Sequence, residues 1–302
     1  MRIFYLGPEG TFTHQAALEY FQGRAQDLIP SANPKDVIEE VMNSGNSYGV
    51  VPIENSIHGE VIPTLDALVF GSEGVYVVGE ISLPVSFGLY AKSDRMNIKQ
   101  VISHPHALAQ CRLYISRKGF EEKSANSTAD ACRIVSESTD TSIGAIASSK
   151  AAESYNLKPI DEKIEDFIGA ETRFFIVASQ IEKPIDEGRT LIAILPPSYG
   201  SGIISEMTGI FSEKDLNISM ISTRPTKQTL GRYIFILGID GDLTTIENRK
   251  SVFSLLSRGY RIKVLGTASD KSKTHLESPF PDVPGLMDSS EMEKLISDID
   301  IK

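Results

Sequence analysis

A short apolar strand, a loop rich in glycine, serine, threonine or asparagine, and a helix start follow one another five times in the first 153 residues. The first copy runs from residues 2–6 through Gly7-Pro8-Glu9-Gly10-Thr11, with Thr13 expected to cap a helix that reaches Phe21. The second has a strand over 48–53, a polar loop over 54–60 and an apolar helical segment over 62–70. Strands over 101–103, 123–126 and 143–147 precede helices over 106–117, 127–135 and 148–153. Strands alternating with helices at this spacing argue for an α/β architecture with largely parallel sheets, whose ligands bind outside the carboxyl ends of the strands. Each polar residue at those ends reads, taken alone, as an ordinary N-cap that satisfies an orphan helix N–H. Four or five of them on one sheet edge would also form a donor-rich cleft suited to an anion.

Two extended stretches, near residues 75–90 and 159–167, lack a partner helix and mark two crossings between lobes. Lobe 1 is then about residues 1–76 with 165–179, lobe 2 about 77–164, and the cleft lies between their sheets. Residues 180–189 are polar, carry Pro184 and Gly188, and read as a linker. Beyond it, a strand over 190–195, a helix over 203–214, strands over 217–223 and 232–239, a helix over 246–257 and a strand over 261–265 follow. That order, βαββαβ, is the ferredoxin-like arrangement and defines a second domain over 190–268. The tail, 269–302, is polar, holds Pro279, Pro281 and Pro284, and ends in a short helix over 289–299.

Charge and hydropathy remove several classes of function. A net charge of −10 and a pI near 5.1 argue against a nucleic-acid or anionic-membrane partner, either of which needs a clustered basic face. The longest apolar passage, 75–91, is interrupted by Glu80 and Pro84, so no membrane span is expected. The N-terminal apolar run stops at Gly7-Pro8, well short of a signal-peptide core, and two cysteines, Cys111 and Cys132, make no disulfide framework. A reducing cytoplasm is the expected compartment.

Glu171-Thr172-Arg173-Phe174 opens a strand that continues to Ala178. A hydroxyl and a guanidinium at a strand entrance are not needed for packing: one donates a neutral hydrogen bond, the other is a charged fork that fits a carboxylate. Without further context, Thr172 reads equally as a β-branched strand residue and Arg173 as a surface charge.

Five stretches in order are similar to the prephenate dehydratase family: Gly7-Pro8-Glu9-Gly10-Thr11-Phe12, Val51-Pro52-Ile53-Glu54-Asn55-Ser56 with Gly59 and Val61, Ser103-His104-Pro105 with Ala109-Gln110-Cys111, Asn126-Ser127-Thr128-Ala129, and Thr172-Arg173-Phe174. The second domain resembles the regulatory ACT domain of that family. The resemblance implies a catalytic domain over 1–179 shaped like a periplasmic binding protein, converting prephenate to phenylpyruvate for phenylalanine biosynthesis. It implies Thr172 as the catalytic threonine and Arg173 as a substrate-binding arginine. Glu54, Asn55, Ser103, Gln110, Asn126, Ser127 and Thr128 fall at further cleft positions, and Thr11, Ser56 and Phe174 lie in the same matching stretches. Glu54, Asn55 and Ser56 also read as a turn and a cap, and Ser103 and Ser127 as caps, roles that can coexist with substrate contact. One departure stands beside the site: Ala170 occupies a position where members commonly carry Asn, so one hydrogen bond of the family site is missing or supplied elsewhere.

Loss of carbon dioxide and hydroxide from prephenate makes an aromatic ring, so the reaction needs no base but does need a donor at the departing hydroxide. Thr172 is that donor, by hydrogen bonding as charge develops, backed by Glu54 or a water. Arg173 is expected on the pyruvyl carboxylate, since clamping the ring carboxylate would stabilise the ground state and oppose its loss. His104 and His106 lack a third clustered ligand, and no metal or other cofactor is expected.

In the family the second domain binds phenylalanine at a dimer interface and shuts the enzyme down. The positions implied here are Gly202, Ile203 and Ile204, then Asn217, and then Ser222, Thr223, Arg224 and Pro225, of which Ile203, Ser222 and Thr223 depart from the usual residues. An assembly domain that senses no amino acid is the alternative. A homodimer or homotetramer is expected in either case. Arogenate dehydration and a non-catalytic anion sensor are the other functional readings; mere anion capture does not require Thr172.

Overall fold

Ile3, Phe4 and Tyr5 are all buried, although successive side chains of a strand point to opposite faces, so β1 (Arg2–Leu6) must be covered on both sides. The computed structural model describes residues 1–22, 27–71, 73–93, 97–180, 188–243 and 245–269, all within one unit of residues 1–272. The expected tail helix and most of the expected linker lie outside the described residues.

Chain order after β1 is α1 (Phe12–Tyr20), β2 (Leu28–Ser31), α2 (Pro34–Asn43), β3 (Ser47–Asn55), β4 (Gly59–Glu60) and α3 (Ile62–Asp66), which runs on as a π-helical turn, Ala67–Gly71. β5 (Tyr76–Pro84) and β6 (Gly88–Ala91) follow, then β7 (Gln100–Ser103), α4 (Pro105–Gln110), α5 (Arg112–Lys118), β8 (Glu121–Ser124) and α6 (Thr128–Glu137). β9 (Ile143–Ala147), α7 (Ser149–Ser154), β10 (Lys158–Glu162) and β11 (Glu171–Ala178) complete this part. The remainder is β12 (Arg189–Leu195), α8 (Ile203–Ser212), β13 (Ile218–Pro225), β14 (Tyr233–Asp240), α9 (Ile246–Ser257) and β15 (Arg261–Ala268).

Two mixed sheets result. One runs β13-β14-β12-β15-β5-β11-β3-β1-β2, with β4 beside β3; the other runs β10-β6-β9-β7-β8. The expectation of largely parallel sheets holds for β2, β1 and β3 and for β8, β7 and β9. It fails where the chain passes between sheets, because β11 returns antiparallel to both β3 and β5, and β6 is antiparallel to β9 and β10. Residues 77–84, assigned to the second lobe from sequence, belong to the first sheet. They form β5, whose residues 77–81 are buried and whose register with β11 continues to Pro84. The passage between sheets is therefore at residues 85–87.

Other boundaries move for local reasons. Thr11, not Thr13, caps α1, its hydroxyl accepting from His14 N at 3.2 Å while Thr13 is buried in the helix. The helix expected over 106–117 is two, because Cys111 leaves the helical region and caps both. β2 and α2, between residues 22 and 47, have no counterpart among the expected elements.

The second half has the βαββαβ order and the spatial order β13-β14-β12-β15. Ile192, Ile194, Leu237 and Ile239 pack under α8 and α9 against Met207, Phe211 and Leu255. The opposite face, with Leu191, Ala193 and Ile236, shares a core with Leu65, Val69 and Val75 of the first half. β15 meets β5 in parallel at Gly266 and Val77. A Cβ on Gly266 would lie 2.0 Å from Val77 O and 2.5 Å from its N, and its φ is +130°, so only glycine fits this junction.

Candidate active site

Four helix starts meet at a cavity of about 670 Å³. Its wall includes Thr11 at α1, Val61 at α3, His104 at α4 and Ser127 at α6, with strand residues of the first sheet and with loop and helix residues that follow strands of the second. Thr11 and Ser127 each accept a backbone N–H into their hydroxyl, at 3.2 Å from His14 and 2.9 Å from Asp130, and so hold α1 and α6 with their positive ends toward the cavity.

Thr172 enters the wall from β11 and Asn55 from the facing position of β3. Asn55 Nδ2 donates to Thr172 Oγ1 at 2.9 Å. The Asn55 carbonyl oxygen in turn accepts from the backbone N–H groups of Ile57 and His58, both at 3.0 Å, which fixes the amide's orientation. Ser56 and Glu171 close the end of this strand pair reciprocally, Ser56 N donating to Glu171 O and Glu171 N to Ser56 Oγ, each at 2.9 Å. Ser56 thus has a structural task beside the cavity.

The next register step faces the other way. Arg173 Nη1 donates to Glu54 Oε2 at 2.8 Å, and neither residue lines the cavity. Alternation along β11 puts Thr172 and Phe174 on the cavity side and Arg173 between them on the other. The expected placement of Arg173 on a substrate carboxylate and of Glu54 behind Thr172 is met here by an ion pair between the two residues, beside the cavity. Ser103 is likewise removed from the wall, since it is fully buried and donates to Ile146 O at 2.6 Å across to β9. Gln110, Asn126, Thr128 and Phe174 do line the cavity.

Ala170, the departure noted in the sequence, is buried in an apolar cluster with Val85 and Phe87, and its carbonyl accepts from Val85 N at 2.7 Å. The side-chain hydrogen bond to Thr172 comes from Asn55 instead.

Residues 3–182 match the family model described as prephenate dehydratase. The chain belongs to the prephenate dehydratase family. A prephenate dehydratase of Methanocaldococcus jannaschii is 38% identical over 251 residues, covering 81% of this chain and 90% of that one. The crystal structure of the prephenate dehydratase of Staphylococcus aureus superposes with a TM-score of 0.76 at 30% identity, over 89% of this chain and all of that chain. A prephenate dehydratase of Arthrobacter aurescens, solved in complex with L-Phe, gives 0.81 at 27% identity, over 100% of this chain and 99% of that chain.

Within this prephenate dehydratase family member, the apolar part of the cavity was only partly anticipated. Phe12 and Phe87 meet edge to face at 5.7 Å and, with Phe174, offer flat surfaces for a six-membered ring. Phe12 stands in a matching stretch, whereas Phe87 lies in the passage between sheets and carries no local signal. Three histidines were also missed as wall residues: His58, His104 and His106. Burial lowers the pKa of His58 and of His104, and the neighbouring His106 lowers both further. Among the described residues, no group of three His, Cys, Asp or Glu is placed to hold a metal, and no helix is long and apolar enough to cross a membrane.

The residues expected to bind phenylalanine separate in the chain. Gly202, in the left-handed region at φ +88°, starts α8 and with Ile203 and Ile204 lines a second cavity of about 520 Å³. Asn217, Ser222, Thr223, Arg224 and Pro225 do not line it. Asn217 instead binds Asp240 at 2.8 Å, Ser222 Oγ donates to Glu60 Oε2 at 2.7 Å, and Arg224 Nε donates to Asp66 Oδ1 at 2.7 Å. Alternation along β13 turns Ser222 and Arg224 toward β4 and α3 and leaves Thr223 exposed.

Proposed function

We propose that this protein converts prephenate to phenylpyruvate, with loss of carbon dioxide and of the ring hydroxyl as water. The observation that carries the reading is the hydrogen bond from Asn55 Nδ2 to Thr172 Oγ1 in the wall of a cavity suited to anions. A hydroxyl that accepts from an amide still has its own O–H to give. Held by Asn55, that O–H donates to the hydroxyl leaving the ring as negative charge develops on it, and a solvent proton completes the water. The electron pair of the breaking carbon–carboxylate bond enters the ring, so no base is required. Donors preorganised at a developing charge act most strongly in a water-poor site.

The aromatic residues hold the ring, and the starts of α1 and α6 offer N–H groups to carboxylates without a fixed cation. That setting favours departure of the ring carboxylate, because a strong ion pair there would stabilise the reactant more than the transition state. On this reading the two sheets are the cores of two lobes of a binding-protein-like catalytic domain, residues 1–179, closing on the substrate.

Residues 189–268 are read as an ACT domain that binds L-phenylalanine and lowers activity. The support is the Arthrobacter relative, which aligns over the whole chain and was solved with L-Phe. Since Gly202–Ile204 and Ser222–Pro225 do not meet within one chain, the ligand would sit where two copies join, which implies a dimer or a higher assembly.

Purified protein mixed separately with prephenate and with arogenate decides the reading. Phenylpyruvate formed from prephenate is expected. Phenylalanine formed from arogenate alone would make it an arogenate dehydratase, and binding without conversion of either would make it a sensor.

A further inference from the structure

Three imidazoles line the cavity, and the activity as proposed uses none of them. They form one cluster: His58 stacks on His106 with ring centres 4.7 Å apart and planes at 13°, and His106 meets His104 edge-on at 4.9 Å. The described residues of the wall include no lysine or arginine, and Arg173 is held by Glu54 on the far face of its strand. Prephenate brings two carboxylates, one of which must stay while the other leaves.

We propose that His58 and His106 bind the retained side-chain carboxylate of the substrate, with uptake of a proton by His58 on binding. The proposal rests on the prephenate reading above.

The hydrogen bonds around His58 support a ring with two states. Its Nδ1 lies 3.1 Å from Gln110 Nε2, a donor, and 3.3 Å from Asn55 Oδ1, an acceptor. A neutral ring can accept from Gln110 at Nδ1, and a protonated one can donate there to Asn55. Gln110 is 5% exposed and its Oε1 has no hydrogen-bond partner. Half a turn of that amide exchanges Nε2 for Oε1 and supplies the acceptor a protonated His58 calls for. A charged ring would thus give that buried acceptor a partner. Nδ1 being engaged in either state, Nε2 is the nitrogen left for a ligand.

The sign is fixed by the surroundings. Burial and His106 lower the pKa of His58 in the free protein, so near neutral pH the ring is uncharged. A carboxylate against it favours the charged form, and ligand binding and proton uptake are then linked. Other titratable groups on the packed elements are His104 on α4, His14 on α1, Glu60 on β4, Glu171 on β11 and Asp130 on α6. Of these, His104 is the group electrostatically coupled to both rings. Glu54 and Arg173 neutralise one another.

The test uses phenylpyruvate, which keeps the side-chain carboxylate and is not turned over. Calorimetric titration of the full chain at pH 7.5, in two buffers of different ionisation enthalpy, reads the protons taken up. Uptake by the unaltered protein and its loss in His58→Gln and in the His58→Gln/His106→Gln double variant are expected, with binding about tenfold weaker. No uptake by the unaltered protein, or equal uptake and affinity in the variants, overturns the proposal. The KM for prephenate should rise with pH in the unaltered enzyme and stay flat in the double variant, while kcat holds within about threefold; a KM that keeps the same pH dependence in the variant also overturns it. Proton-linked phenylpyruvate binding by a chain that converts no prephenate would sink the enzymatic reading while leaving the histidine pair as a carboxylate site.

Discussion

Arg173 and Glu54 form an ion pair at 2.8 Å one register step from Asn55 and Thr172, and only the second couple lines the cavity. The pair is one-third to one-half exposed, a setting in which ion pairs contribute about 0–1 kcal/mol. Arg173→Lys keeps the charge and should leave the KM for prephenate within about threefold, with a small fall in Tm. A tenfold rise in KM would return Arg173 to the substrate carboxylate.

On the proposed mechanism Thr172 and Asn55 act as one unit, because the amide holds the hydroxyl at 2.9 Å. Thr172→Val should lower kcat by about 10²- to 10³-fold with KM little changed, the loss seen when a donor to developing charge is removed. Asn55→Ala should do nearly as much damage, and the double variant little more than either alone. Additive losses would mean that Asn55 has a separate task.

Much of this was legible in the residues. β1, β3 and β9 read as buried strands because apolar side chains fill both faces, and Ser127 caps α6 as its type suggests. The βαββαβ order was legible because each element there keeps its own hydrophobic period. What escaped depends on pairing between distant segments. β10, Lys158–Glu162, lies in an expected extended stretch, but its antiparallel place beside β6 had no local signal, and the break at Cys111 has no glycine or proline to announce it. The pairing of Arg173 with Glu54 was not legible, because it follows only once β3 is known to lie opposite β11. His58 is 52 positions from Gln110, and nothing local says that they touch.

Glu80 on β5 and Arg189 on β12 are buried, with Oε2 and Nη2 2.6 Å apart, at the junction that Gly266 and Val77 complete. Removing one partner of such a pair strands the other charge and costs about 3–5 kcal/mol. Glu80→Ala should therefore lower unfolding stability by about that amount in urea. Glu80→Leu with Arg189→Met should recover most of it, because a buried pair is often replaceable by apolar side chains. No recovery would mean that the charges have a role beyond the junction.

Cys132 and Tyr90 are buried neighbours whose acid groups keep their protons: burial pushes both up to about 12, from 9.0 for the thiol and 10.0 for the phenol. Above pH 9 the unfolded chain ionises them and the folded chain does not, so each favours unfolding increasingly as pH rises toward 12. Urea midpoints should fall steadily from pH 9 to 11, and less steeply in Cys132→Ala. A thiol reagent at pH 8 should label Cys132 only as fast as the protein opens; rapid labelling of the folded protein would contradict its burial.

Ser222 on β13 donates to Glu60 at 2.7 Å, and Arg224, two residues on, holds Asp66 at 2.7 Å. Glu60 belongs to the cavity wall, and Asp66 ends the helix that begins there. Asp66 is also reached by Lys227 at 3.0 Å, and although burial acts in the opposite direction, these partners together hold its carboxyl below the usual range. One strand of the second half therefore grips the segment between β4 and α3 that closes one side of the site. If phenylalanine shifts β13, this grip is the shortest route by which the cavity could sense it, since an effector acts only through contacts that differ between its two states. Ser222→Ala removes the hydrogen bond to Glu60 and changes no residue of the cavity wall. It should preserve kcat and KM within about twofold and weaken phenylalanine inhibition about fivefold or more, the scale of an ordinary coupling energy. Arg224→Gln should add a stability loss, because it frees a partly buried Asp66 as well. Inhibition curves for Ser222→Ala that overlay those of the unaltered enzyme would place the coupling elsewhere, with the β15–β5 junction next to be tested.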